Sequence, residues 1–135
     1  MRIRRKGVAL VKTENGILMV REHHNRDFSL PGGGANNGES RKAAAMRELL
    51  EETGMAPHSA EFLCQYKENP FTAGYRGDRI LNDVKVFVVK AKGTPKIIDK
   101  REIDKIAWWV PGCDLPLCRG IWRTLKAYED FKEGN

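Results

Sequence analysis

The chain has 135 residues, enough for one domain that buries a core without disulfide staples. Its 24 basic and 18 acidic side chains leave a net charge of +6, a field that attracts polyanions such as nucleotides. Three cysteines (Cys64, Cys113 and Cys118) with no Cys-x-x-Cys pair exclude a disulfide framework and read as reduced packing residues.

The basic start Met1 to Lys6 precedes only a short apolar run, Val8 to Val11, ended by Lys12. That run is too short for a signal sequence or a membrane span, so a soluble, cytoplasmic protein with no membrane partner is expected. Gly7 to Thr13 and Ile17 to Glu22 read as strands joined at Asn15-Gly16, a strong hairpin signal. A helix follows between Ser40 as N-cap and Gly54 as stop. Glu61 to Lys67 and Asn82 to Lys90 are strand-like, the second alternating through Val84, Val86 and Val88. Between them Glu68 to Arg79, with Pro70, Gly74 and Gly77, reads as a loop. A turn at Gly93 to Pro95, a strand near Ile106 to Val110 and a helix from about Arg119 to Phe131 complete one α/β domain over residues 1–135. Pattern alone supports α/β or α+β. His23, His24 and His58 have no ligand spacing to one another or to the cysteines, so no zinc site is expected.

The informative stretch runs from Gly33 to Met55: Gly33-x5-Glu39-x7-Arg47-Glu48-Leu49-x-Glu51-Glu52-x-Gly54-Met55. At about 100° per residue Ala43, Met46, Leu49, Leu50 and Thr53 share one side of the helix. Glu48, Glu51 and Glu52 share the other, which is expected to face solvent. Like charges at this spacing repel by a few tenths of a kcal/mol per pair, roughly, so the cluster makes sense when something cationic sits there. Arg47 flanks it, but one guanidinium cannot neutralise three carboxylates. The run Pro31-Gly32-Gly33-Gly34 just before it lets backbone approach metal and phosphate closely. A Glu-rich helix is usually only a solvated face; the glycine run together with Glu39 and Arg47 argues for a site for hard divalent cations and phosphate oxygens.

This run resembles the Nudix box, with every defined position filled across 23 of the 135 residues. Looser resemblance extends to Phe28-Ser29-Leu30-Pro31 upstream, and to Glu102-Ile103-x4-Trp108-Trp109 and Leu115-Pro116 downstream. The resemblance implies a Nudix-type α/β/α sandwich with a mixed central sheet. It implies an enzyme that hydrolyses a phosphoanhydride bond in a nucleoside diphosphate linked to another moiety. Catalysis there means neutralising phosphate charge, placing a water in line and removing its proton. Mg²⁺ suits the task, with Mn²⁺ an acceptable substitute.

Carried over by resemblance, Glu48 and Glu52 are the principal metal ligands and Glu51 is a ligand or a base. The carbonyl of Gly32 completes the shell, Arg47 holds a box glutamate, and Glu39 caps the helix dipole. Many members take a further base from a loop outside the box. Glu102, six positions before Trp108, is the first candidate, ahead of Asp99, Asp104 and the weaker Asp83.

The substrate's organic group is less legible. Arg26, Arg76 and Arg79 are candidate phosphate contacts, and Phe28, Phe71, Tyr75 and one of Trp108 and Trp109 could stack on a base. Pro70, fifteen positions after Met55, has a spacing associated with ADP-ribose hydrolases, though a turn proline explains it as simply. Two alternatives stay open. One is a non-catalytic nucleotide sensor, against which all box glutamates are present. The other is an RNA 5′-end pyrophosphohydrolase, suggested by the net charge; the lack of an interleaved aromatic and basic run argues against a nucleic-acid partner. Family members often form homodimers, but no residue run marks an interface.

Overall fold

The structure is a computed structural model that describes residues 1–73 and 77–134. Strand β1 (Arg2–Leu10) starts five residues earlier than expected, and its cause is tertiary. It pairs in parallel with β7 (Asp78–Lys92) from Arg2↔Ile80 to Leu10↔Val88, so a basic run with no strand pattern of its own is drawn into the ladder. The expected single strand to Thr13 is interrupted at Val11. The next piece, β2 (Lys12–Thr13), forms the expected hairpin with β3 (Gly16–Glu22) in a different sheet.

Strand β4 (Gly32–Gly34) pairs antiparallel with β1 and leads towards α1 (Arg41–Thr53). The Ser40 hydroxyl accepts from the Ala43 amide at 3.0 Å, and Gly54 ends the helix at φ 75°. Strand β5 (Ala56–Lys67) is longer than expected, and the stretch expected as a loop contains β6 (Phe71–Ala73), paired with the start of β7. Then come β8 (Ile103–Trp109), antiparallel to β3, and α2 (Ile121–Glu133).

One sheet has the order β4-β1-β7-β5 with β6 also on β7; the other is β2-β3-β8. Both faces of the larger sheet are covered, and β7 shows why. Val84 and Val86 face a core with Val8, Leu10, Met19 and the α2 residues Ile121 and Leu125. Phe87 and Val89 face the opposite core with Ala9, Val11, Leu18 and the α1 residues Ala45 and Leu49. The result is the expected α/β/α sandwich with a mixed sheet. Leu49 is fully buried, so Leu49→Ala would cost about 2–5 kcal/mol.

The buried side of α1 differs from the expected one. Ala44, Ala45, Leu49, Glu52 and Thr53 are buried, whereas Leu50 is 49% exposed. The true buried arc is centred near Ala45, about 100° from the arc picked by apolar periodicity. Ala45, Leu49 and Glu52 form one stripe, so Glu52 goes inward with the core rather than outward with Glu51. No helix among the described residues is long and apolar enough to cross a membrane.

Candidate active site

Three elements converge on the glutamates of α1. Strand β4 runs beside the helix, and here glycine is required by space. A Cβ on Gly33 would stand 2.7 Å from the Glu48 carboxyl carbon, and one on Gly32 would stand 2.6 Å from the Gly7 carbonyl oxygen. The third element is the turn before β8, which carries Glu102. Glu48, Glu102, Arg47, Glu22 and the segment Gly32 to Asn36 line one cleft of about 420 Å³, together with Arg4 and Lys6.

Glu52 is 2% exposed and accepts a hydrogen bond from the Gly32 amide at 3.2 Å. Burial, and then its neighbours Glu48 and Glu102, push its carboxyl up to about 10. Glu102 is raised too, by burial and by Glu22, Glu48 and Asp99 around it. These carboxylates repel one another and would share a cation readily. The donor set is all hard oxygen, which fits Mg²⁺ or Mn²⁺ and not a thiolate metal. Among the described residues no three acidic, imidazole or thiol side chains close into a metal cage by themselves. Mg²⁺ does not need one, since it is held by one or two carboxylates together with waters and substrate phosphates. Glu48, Glu52 and the Gly32 carbonyl therefore fit the ion.

Arg47 organises the cluster. Its guanidinium donates to both oxygens of Glu39 at 2.8 and 2.9 Å, to Glu48 at 2.8 Å, to Glu51 at 3.2 Å and to the Gly34 carbonyl at 3.1 Å. Those bonds hold Arg47 protonated, and they hold the Glu39 carboxyl down to about 2. Glu39 was expected as a structural residue near the helix N-terminus, with Ser40 as the N-cap; Ser40 makes the cap hydrogen bond, and Glu39 grips Arg47 and accepts from the Asn36 amide. Glu51 lies further out, 53% exposed at its side chain, and lines neither this cleft nor the cavity behind it.

The competitors of Glu102 are occupied elsewhere. Asp104 binds Arg21 through two hydrogen bonds of 3.0 and 3.2 Å, and Asp83 pairs with Arg41 at 3.1 Å. Asp99 accepts from the amides of Arg101 and Glu102, shaping the turn that presents Glu102.

The expected substrate contacts fare differently. Phe28 is only 5% exposed and packs in the core under the Arg21 guanidinium, so its face is not free for a base. Arg26 has a 94% exposed side chain paired with Asp27 and lines neither cavity. Arg79 lines a separate surface hollow with Met1, Arg2 and Asp78. Arg76 and Tyr75 lie outside the described residues. Trp109 is buried edge-to-face against Trp122, with ring centres 6.2 Å apart, and Trp108 lines another cavity beside Gly93 to Pro95.

Sequence reasoning missed a second set. A cavity of about 290 Å³ adjoins the glutamate cleft through Arg4, Lys6, Glu22 and Gly32. It runs back to Tyr66, Glu68, Asn82, Cys118 and Ile121. Arg4, Lys6 and Val8 alternate on β1 beside Asn82, Val84 and Val86 on β7, so one sheet face supplies most of its floor. No ion pair among the described residues engages Arg4 or Lys6, which stand where the two cavities meet. The available signal was the i, i+2 spacing of Arg4 and Lys6; it had no meaning until β1 was seen to extend that far.

The comparisons agree with this geometry. The NUDIX domain model matches residues 1–130. An RNA pyrophosphohydrolase of Roseobacter denitrificans is 34% identical, covering 91% of this chain and 89% of that protein. A Bacillus subtilis protein provisionally named as an 8-oxo-dGTP diphosphatase is 30% identical over 94% of this chain and 78% of its own length. The crystal structure of a MutT NUDIX hydrolase from Burkholderia pseudomallei has the same fold, with a TM-score of 0.76 at 21% identity over 94% of this chain and 98% of that one. The chain belongs to the NUDIX family of hydrolases and is an enzyme acting on phosphoanhydride bonds.

Proposed function

We propose that this cleft hydrolyses a nucleoside diphosphate linked to another moiety, with Mg²⁺ held by Glu48, Glu52 and the Gly32 carbonyl. The observation that carries the reading is the junction of the two cavities. Glu48 and Glu102 line the cleft, Glu52 opens on the nucleoside-sized hollow behind it, and Arg4, Lys6, Glu22 and Gly32 line both. When bound, the ion supplies charge neutralisation at the phosphate oxygens and favours ionisation of an attacking water.

The chain's own groups do the rest. Arg4 and Lys6 bind the non-bridging phosphate oxygens, taking the role first expected of Arg26, Arg76 and Arg79. Glu102 accepts the proton of the attacking water, its raised proton affinity being suited to a base working near neutral pH. Arg47 fixes the rotamer of Glu48 and is a positioning residue. Glu51, tied to Arg47 at the rim, is the reserve candidate for ligand or base. The free thiols of Cys64, Cys113 and Cys118 accord with a cytoplasmic protein, and residues 1–135 act as one domain.

A second reading has its own support. A groove lined by Tyr66, Lys67, Glu68, Arg119 and Arg123 shares Tyr66 and Glu68 with the inner cavity and would suit the next phosphate of a triphosphorylated RNA 5′ end. A substrate panel separates the two. ADP-ribose, nucleotide sugars, dinucleoside polyphosphates, normal and oxidised nucleoside triphosphates and triphosphorylated RNA are incubated with Mg²⁺ and either wild type or Glu52→Gln. Cleavage of one small-molecule class, silenced by the substitution, upholds the first reading. Cleavage of RNA alone, weakening steeply with salt, replaces it with the second. Nucleotide binding without any turnover would make the chain a sensor.

A further inference from the structure

We infer that His23 is a positioning residue for Glu102, pinning the turn that carries this carboxylate against the end of β3. The inference rests on the reading of Glu102 as the base.

Glu102 reaches the cleft from a stretch between β7 and β8 that has no strand or helix of its own. A base must keep its oxygen within hydrogen-bond reach of one water, so such a stretch needs anchors on both sides. On the helix side the Lys96 amide donates to the Thr53 carbonyl at 3.0 Å, and the Ile98 amide to the Glu52 carbonyl at 3.1 Å. Within the turn Asp99 accepts from the amides of Arg101 and Glu102 through its side chain, and from Ile103 through its carbonyl.

The strand side of the turn is held by one residue. The His23 amide donates to the Glu102 carbonyl at 3.0 Å, and the His23 ring Nε2 lies 2.9 Å from the Lys100 carbonyl. A carbonyl only accepts, so Nε2 carries a proton, and the bond persists whether or not Nδ1 is protonated as well. Nδ1 lies 4.0 Å from Asp104 Oδ2, a carboxylate already fixed by two hydrogen bonds from Arg21. The ring thus stands between two fixed groups, and it holds the turn on either side of Arg101.

The backbone around His23 is strained. The Asn25 amide donates to the Glu22 carbonyl at 3.2 Å, closing a turn whose third residue, His24, has φ 64°. His24 is the one non-glycine residue at positive φ among the described residues. A conformation of that kind persists where surrounding contacts over-determine it, and it gathers at functional sites. Here the turn leaves Glu22 and Asn25 lining the inner cavity, while His23 lines neither cavity and meets the Glu102 turn instead. Glu22 is also among the charges that raise the Glu102 carboxyl, so the two turns approach each other closely.

The test measures kcat and KM of His23→Ala, His23→Gln, Glu102→Gln and the double variant His23→Ala with Glu102→Gln. The substrate is the member of the panel that wild type cleaves, and amide exchange over residues 99–104 is followed alongside. A glutamine amide can place a donor where Nε2 stands. His23→Ala should lower kcat by about 10-fold with KM within about twofold, and His23→Gln should return to within about threefold of wild type. On top of Glu102→Gln, His23→Ala should cost less than about twofold, because nothing is left to position. Exchange over residues 99–104 should quicken in His23→Ala and not in His23→Gln, with α1 unchanged in both. Full activity in His23→Ala, an equal loss with and without Glu102, or exchange unmoved by the substitution would overturn the assignment. A loss below about threefold in Glu102→Gln would instead sink the base reading. Quickened exchange in His23→Ala would then leave His23 a structural clamp with no part in catalysis.

Discussion

Arg47 and Glu39 are joined by two parallel hydrogen bonds, Nε to Oε2 at 2.8 Å and Nη2 to Oε1 at 2.9 Å. The remaining terminal nitrogen reaches Glu48 and Glu51. Eight residues apart in sequence, Arg47 and Glu39 form a clamp that spans the loop before α1 and the carboxylate face of the helix. A planar fork is needed for this, which lysine cannot supply.

The clamp has a pH signature. The Glu39 carboxyl is held at about 2 against an ordinary value of 4.5, chiefly by its hydrogen bonds to Arg47. A depressed acid contributes stability that is complete above its unfolded value and is lost as pH falls through the folded one. Melting temperature should therefore decline between about pH 4.5 and 2 more steeply in wild type than in Glu39→Gln. Asp83 and Asp104 are lowered as well, by Gln65 and Arg21 respectively, and decline in both proteins, so the difference between the two curves isolates Glu39. Parallel curves would remove the clamp from the acid transition.

Glu52→Gln should abolish most turnover. Because Glu52 is buried beside Glu48, the metal-free wild type must hold it protonated against its ordinary value, a cost that the neutral amide does not carry. The metal-free variant should melt at or above the wild-type temperature. Added Mg²⁺ should raise the melting temperature of wild type and leave the variant unmoved, since only a ligand that binds the folded state stabilises it. A variant that still responds to Mg²⁺ like wild type would remove Glu52 from the metal shell.

Glu102→Gln should slow the chemical step by roughly 10²–10⁴-fold and flatten the acidic limb of the rate profile. The Asp99 contacts that shape its turn are made by backbone amides, so the variant should keep its fold. A loss below about threefold in single-turnover kinetics, well short of what a general base contributes, would pass the role to Glu51.

Two glycines make a contrasting pair. A Cβ on Gly7 would run into the Arg41 carbonyl and the Ala45 amide, both helix backbone that cannot step aside. Gly7→Ala should push α1 off β1 and cost about 1–3 kcal/mol, read as a lowered melting temperature. A Cβ on Gly33 meets the end of the Glu48 side chain instead. Gly33→Ala should leave the melting temperature nearly unchanged and reduce activity by about 10–100-fold through displacement of a metal ligand. If the two substitutions behave alike, the steric distinction is wrong.

The family, the α/β layering and the position of the catalytic helix were legible from residues 33–55, because those features are written locally. Ser40 and Gly54 cap a helix wherever it packs, and Asn15-Gly16 turns a hairpin without outside help. Glu48 and Arg47 could be named for the same reason. What the helix buries was not local. Its polar stripe and its core stripe overlap at Glu52, and only the approach of β4, whose Gly32 amide meets that carboxylate, settles that Glu52 faces inward. The inner cavity depended on contacts between distant residues. Arg4 and Lys6 came to line the two cavities when β1 paired with β7 as far as Arg2↔Ile80, and Glu68 met Asn82 across fourteen residues because β5 and β7 are neighbours. Phe28 drew attention as an aromatic yet became core, since aromatic character is local and burial is not. Sequence by itself determined the family and the carboxylates gathered on one helix, where spacing is enough; the tertiary structure decided which residues line the adjoining cavity, because they come from strands that only the sheet brings together.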